Sequence, residues 1–154
     1  MPASASIGLF FVRIVVGAAL ALHGYAKIAN PTGWMAHSLT APWSGAAIAV
    51  PDWLQGAVVA VEFLGGIALV LGLFTRLAAL ALFVDMLVAF VFAELPHGTA
   101  FVGTGHTLEP NLTYLVVNFM LLLTGPGTIS IDAVTWRTVA WNGRRTTEKI
   151  STTT

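Results

Sequence analysis

The 154-residue chain contains no cysteine. That excludes disulfides, thiol redox chemistry, thiolate metal sites and covalently attached c-type haem, so any redox role must use a bound cofactor or a partner protein. Charge is almost as scarce: seven Lys and Arg and seven Asp and Glu, together 9% of the residues, with a formal net charge of zero. A soluble domain carries about a quarter charged residues. So few charges could not cover a water-facing surface, and a mean hydropathy of +0.83 places the chain in lipid. No basic block lies in the body of the chain, so nucleic acid is not an expected partner.

What is present is apolar and segmented. Hydrophobic segments occupy about 7–29, 53–74, 77–95 and 110–124. A membrane span needs roughly 20 apolar residues, and the first three segments meet that length. The fourth, with roughly 15 residues, makes about 22 Å of helix and needs packed loop residues or a thinned bilayer to complete a crossing. Ala19-Leu20-Ala21 resembles a signal-cleavage box, but no Lys or Arg precedes the segment and Arg13 interrupts it, so the segment is expected to be retained. The expected fold class is all-α: a single transmembrane domain over 1–154, an up-down four-helix bundle in the membrane. It has a long first outer loop and, within the tail 125–154, a short amphipathic segment capped by Ser130.

Orientation follows from the basic residues. Arg137, Arg144, Arg145 and Lys149 cluster in the tail and Arg76 occupies the tight turn between the second and third segments, whereas only Lys27 lies towards the other side. The positive-inside rule then puts both termini in the cytoplasm. Trp34, Trp43 and Trp53 form an outer interfacial belt, and Trp136 and Trp141 an inner one.

Helical periodicity sorts the polar residues within the spans. Arg13, Gly17, Leu20, Gly24 and Lys27 share one stripe of the first helix, with His23 at its edge; Gln55, Glu62, Gly66 and Leu69 share one on the second. Ala78, Ala81, Asp85 and Ala89 line up on the third, and Asn111, Tyr114 and Asn118 on the fourth. The small residues on these faces are expected to seat neighbouring helices. Depth and side-chain lean predict two groupings. One is a structural Arg13–Asp85 ion pair in the inner half. The other is an outer cluster of His23, Lys27, Glu62 and Tyr114, with Glu109 nearby.

These motifs carry a resemblance. "RIVVGAALALHGYAKI" resembles the arginine-then-HGxxK signature of the DoxX family, and "EFLGGIALVLGLFTRLAAL" is similar to its second block. "LEPNLTYLVVNFMLLLTGPGTISID" resembles the last block, with a glutamate opening the fourth helix and a GPG-x-x-S-x-D ending. The resemblance implies a small four-helix membrane protein, in the cytoplasmic membrane of a prokaryote. It further implies a link to quinone-dependent thiosulfate oxidation or to membrane-chaperone relatives.

Three functional classes remain open. In the first, the chain is a membrane subunit of a quinone-linked oxidoreductase. The outer pocket binds the quinone head group through His23, Lys27, Glu62, Tyr114 and Glu109, while Glu62 and His23 also handle protons. The same residues also read as a satisfied polar core. In the second class the chain is a non-catalytic assembly subunit that docks other membrane subunits or a second copy of itself. In the third it forms a small-solute pathway. Haem b is not expected, because no other span carries a histidine opposite His23. No metal site is expected either: His37, His97 and His106 show no ligand spacing with Glu94 or Glu109.

Overall fold

In lipid, a backbone has no water to satisfy its N–H and C=O groups, and long apolar runs free of internal proline satisfy them as helix. The computed structural model describes residues 2–35, 39–103 and 107–135. It contains α1 (Ala3–Lys27), α2 (Asp52–Leu71), α3 (Thr75–Ala89) and α4 (Leu108–Thr124), with a π-helical turn, Phe90–Glu94, continuing α3. Among the described residues there is no strand, only an isolated bridge between Thr40 and Ala47. α1, α2 and the unit Thr75–Glu94 are each long and apolar enough to cross a membrane, and α4 is a shorter apolar helix. Pro110 is tolerated in α4 because it sits in the first turn, where no helical N–H partner is lost.

The α2–α3 turn explains how two spans follow each other so closely. Gly72 adopts φ 67°, a left-handed conformation open to glycine at little cost, and Leu73 N–H returns to the Ala68 carbonyl at 2.9 Å. α3 then starts beneath a cap from far along the chain. The Asp132 carboxylate accepts the N–H groups of Phe74 (2.8 Å) and Thr75 (2.9 Å), satisfying donors that a helix start leaves free. Ser130 caps the short helical stretch 131–135 by accepting the Ala133 N–H at 3.1 Å, as its position in the sequence suggests. Trp136 and the basic residues that follow it lie outside the described residues.

α1 packs chiefly on α2 and α3 chiefly on α4, while α2 also meets α3. The α1–α2 contact is backbone on backbone. A Cβ built on Gly66 would lie 2.5 Å from the Ala21 nitrogen and the Gly17 carbonyl oxygen, and one on Gly24 would lie 2.5 Å from the Phe63 nitrogen. Between these helices and α3 and α4 lies a core that includes Leu20, Leu69, Ala79, Leu82 and Leu121.

The expected Arg13–Asp85 pair is not formed. α1 has no interface with α3 comparable to its contact with α2, so the two side chains do not face each other. Arg13 is instead buried to 1% exposure against the segment after α4. It donates to the Pro126 carbonyl and, at 2.7 Å, to that of Ile129, with Asp132 as its nearby opposite charge. A guanidinium carries five donors and no acceptor, and carbonyls beyond a helix end accept from its two terminal nitrogens, while Nε has no partner among the described residues.

Overpacking the glycine contact should therefore destabilise the molecule. Gly66→Ala should cost about 1–3 kcal/mol in detergent. Gly56→Ala, where nothing lies within 4 Å of the added carbon, should be neutral or stabilising. Equal melting temperatures for the two variants would remove the backbone contact from this account.

Candidate functional site

Lys27 ends α1 one turn beyond Gly24, and Gly24 seats against the backbone of Phe63, the neighbour of Glu62. The close contact thus brings the lysine ammonium onto the Glu62 carboxylate. Lys27 Nζ donates to both oxygens, at 2.6 and 2.7 Å. Its other side faces Trp34, whose ring centre lies 4.0 Å away, a cation–π contact. Glu62 is only 4% exposed, so this partner offsets a charge that would otherwise be costly at that depth. Asp85, on α3, lies within electrostatic reach of both Lys27 and Glu62.

These charged residues line a cavity of about 320 Å³ between α2, α3 and the loop residues Trp34, Met35, Leu39 and Val50. The other lining residues are almost all apolar, among them Leu54, Ala57, Ala81 and Val84. The loop covers the cavity because it is tied down at both ends. Gln55, 3% exposed near the start of α2, donates to the Val50 carbonyl at 3.1 Å and accepts the Met35 N–H at 3.2 Å. Thr40 N–H reaches the Phe92 carbonyl at 2.8 Å, and Trp43 packs edge-on against the Phe92 ring. Phe92 belongs to the π-helical turn, where the last carbonyls of the span lack helical partners and accept from the loop instead.

The cluster expected from the sequence is divided in two. Lys27 and Glu62 meet, and both line the cavity. His23 does not line it: its ring is exposed and packs edge-to-face on Tyr114, with ring centroids 5.9 Å apart. Positions i and i+4 differ by about 40° around a helix. That offset turns His23 towards α4, while the long Lys27 stem wraps back to α2. Tyr114 packs beside the core, and Glu109 is exposed in the first turn of α4. His97 shares a hydrogen bond with the Ala93 carbonyl, and His37 and His106 lie outside the described residues.

Asp85, Trp34 and Gln55 complete the site and were not assigned to it from sequence. Asp85 stands on the Ala78–Ala81–Asp85–Ala89 stripe as read, but that stripe faces α2. α3 proper ends at Ala89, so Asp85 lies in its last third, near the loop end rather than the turn end. Trp34 sits in an irregular loop whose path periodicity does not describe. Gln55 shares the Glu62 stripe, and its amide was legible as a polar group without a stated partner.

A double-mutant cycle reads this pairing directly. Lys27→Met should destabilise the protein by about 1–3 kcal/mol, discounted for the partial exposure of the lysine, and Glu62→Gln in that background should restore part of the loss. Arg13→Gln and Asp85→Asn should simply add. Additivity in the first pair with coupling in the second would reverse the assignment.

The DoxX family model matches residues 8–95, more than half of the chain, a range that holds Lys27, Glu62 and Asp85. An uncharacterized protein of Haemophilus influenzae is 32% identical over 125 residues, covering 80% of this chain and 87% of that protein. No solved structure matches. The apolar helices, the family match and this relative together make the chain a membrane protein of the DoxX family.

Proposed function

We propose that the protein is a small membrane subunit of a quinone-linked oxidoreductase system, and that a quinone-class head group occupies the cavity between α2, α3 and the loop 30–51. The observation that carries this reading is the form of the cavity: an apolar slot with Lys27, Glu62 and Asp85 together in its lining. Small-molecule sites combine apolar walls with a few convergent polar groups, and a quinone is a flat polar ring on an apolar chain. In this reading Lys27, Glu62, Asp85 and Trp34 form the site, and His23, Tyr114 and Glu109, which do not line the cavity, take no part in it. A non-catalytic assembly subunit is the second reading. Trp43 and Trp53, 77% and 73% exposed, favour it as docking residues, though side chains of this kind also anchor proteins at the lipid headgroups.

The same proposal includes the membrane setting. Four helices cross in up-down order, both termini face the cytoplasm of a prokaryotic cell, and the loop 30–51 and the site lie on the outer side. The chain lacks cysteine, so single cysteines report the orientation cleanly. Ser44→Cys should react with an impermeant maleimide in intact cells, whereas Thr128→Cys, also at an exposed position, should react only after lysis. The opposite pattern would invert the topology.

Ligand placement has its own test. A photoreactive azidoquinone in membranes should label peptides of α2, α3 and the loop 30–51, and excess unlabelled quinone should suppress that labelling. Labelling centred on the α1–α4 seam at His23 and Tyr114, or labelling that quinone does not suppress, would contradict the proposed site.

A further inference from the structure

The depth of the cavity can be counted along its helices. Glu62 is the eleventh of the twenty residues of α2, and Val84 is the tenth of twenty in the span Thr75–Glu94. At about 1.5 Å per residue, both lie roughly 14 Å from either end of their helices. That is half-way through a hydrocarbon core of about 30 Å. The cavity, which these two residues line, therefore extends from the loop end of the bundle to mid-depth.

Its loop end is covered. Gln55 holds the loop at Val50 and Met35, Thr40 N–H reaches the Phe92 carbonyl, and Ile48 N–H closes on the Leu39 carbonyl at 2.9 Å. The side between α2 and α3 is different. Among the described residues α4 contributes nothing to the lining there, and α1 contributes only Lys27. α2 and α3 are joined at the Gly72 turn, yet they contact each other less than α2 contacts α1 or α3 contacts α4. Leu54, Val84 and Val88 line the cavity and are 38%, 48% and 40% exposed. An opening at the level of Val84 is too deep to meet water. It faces hydrocarbon.

Resting on the quinone-class reading above, we propose that the ligand is a bilayer-borne molecule that enters sideways between α2 and α3. Its ring and the first part of its isoprenoid tail fill the cavity, and the rest of the tail stays in the lipid outside Leu54, Val84 and Val88. The volume suits this division. About 320 Å³ is small among ligand pockets, which run from about 300 to 1,000 Å³, and leaves no room for a tail of many isoprene units. The energetics agree. A tail that remains in hydrocarbon returns no apolar surface to water, so leaving it outside the cavity costs nothing in hydration. A tail led out past the loop would lose about fourfold in affinity for each methylene placed in water.

The test uses the wild-type chain in lipid nanodiscs and two photoreactive quinones, one with an azide on the ring and one with a diazirine on the first isoprene unit. The tail probe should label Leu54, Val84 and Val88, and excess unlabelled quinone should suppress that labelling. A tail-length series gives a second reading, with affinity expressed per mole of ligand in the bilayer. Lengthening the tail from about three isoprene units to about eight should change that affinity by less than about twofold. Suppressible tail labelling on the loop, around Trp43 and Ala46, would overturn the sideways path. So would an affinity that falls about tenfold or more as the tail grows. Ring labelling of the cavity would in either case leave the quinone-class site standing. Ring labelling that unlabelled quinone does not suppress would remove the quinone-class reading itself.

Discussion

The contact on which the site depends is the backbone-to-backbone seam of α1 and α2. With Gly17, Gly24 and Gly66 at the crossing, no side chain separates the two helices. Helix association in lipid has little hydrophobic drive, so close packing of this kind has to supply much of it. The seam also fixes positions one turn away. Once Gly24 lies on Phe63, the side chain of Lys27 falls over Glu62, and the ion pair follows from the packing rather than directing it.

Placing a charge pair in a membrane protein is expensive unless the geometry is complete. An unpaired charge at the centre of a span costs roughly 2.5–3.5 kcal/mol on insertion scales. Both Glu62 oxygens are engaged by one ammonium, and Trp34 covers that ammonium from the loop side. The loop is therefore part of the electrostatics as well as a cover. Its attachment through Gln55 and through the Phe92 carbonyl ties the ion pair, the π-helical turn and the cavity into one unit. Arg13 does a corresponding job at the other end. It gathers the Pro126 and Ile129 carbonyls while Asp132 caps α3, so the segment after α4 closes the turn end of the helices.

The helices were legible because hydropathy and periodicity act locally. Their existence and order follow from the four apolar runs. The α2 stripe of Gln55, Glu62, Gly66 and Leu69 is buried as a set, whereas the buried face of α3 is Thr75, Ala78, Ala79, Leu82 and Met86 with Asp85 beside it. Partnership was harder, because it depends on which stripes face each other. Arg13 was matched to Asp85 on depth and opposite charge, yet α1 and α3 do not share such an interface, and the arginine finds carbonyls that no composition rule marks as partners. The His23–Lys27 spacing implied a common face, but a short imidazole stays where its helix points it while a lysine stem bends round to an acid. Trp34 looked like a lipid anchor, since its cation–π role exists only once the loop is folded back over α1.

The central claim is that the cavity lined by Lys27, Glu62, Asp85 and Trp34 is a site for a lipid-soluble quinone-class molecule. Its most direct test is mass spectrometry of the lipids that accompany the purified protein, compared with a variant whose cavity is filled by Ala81→Phe. The account predicts an isoprenoid quinone or quinol at close to one molecule per wild-type chain, lost from the filled variant while bulk phospholipid is retained. Wild-type protein free of such molecules, or a filled variant that keeps them in equal amount, would contradict it.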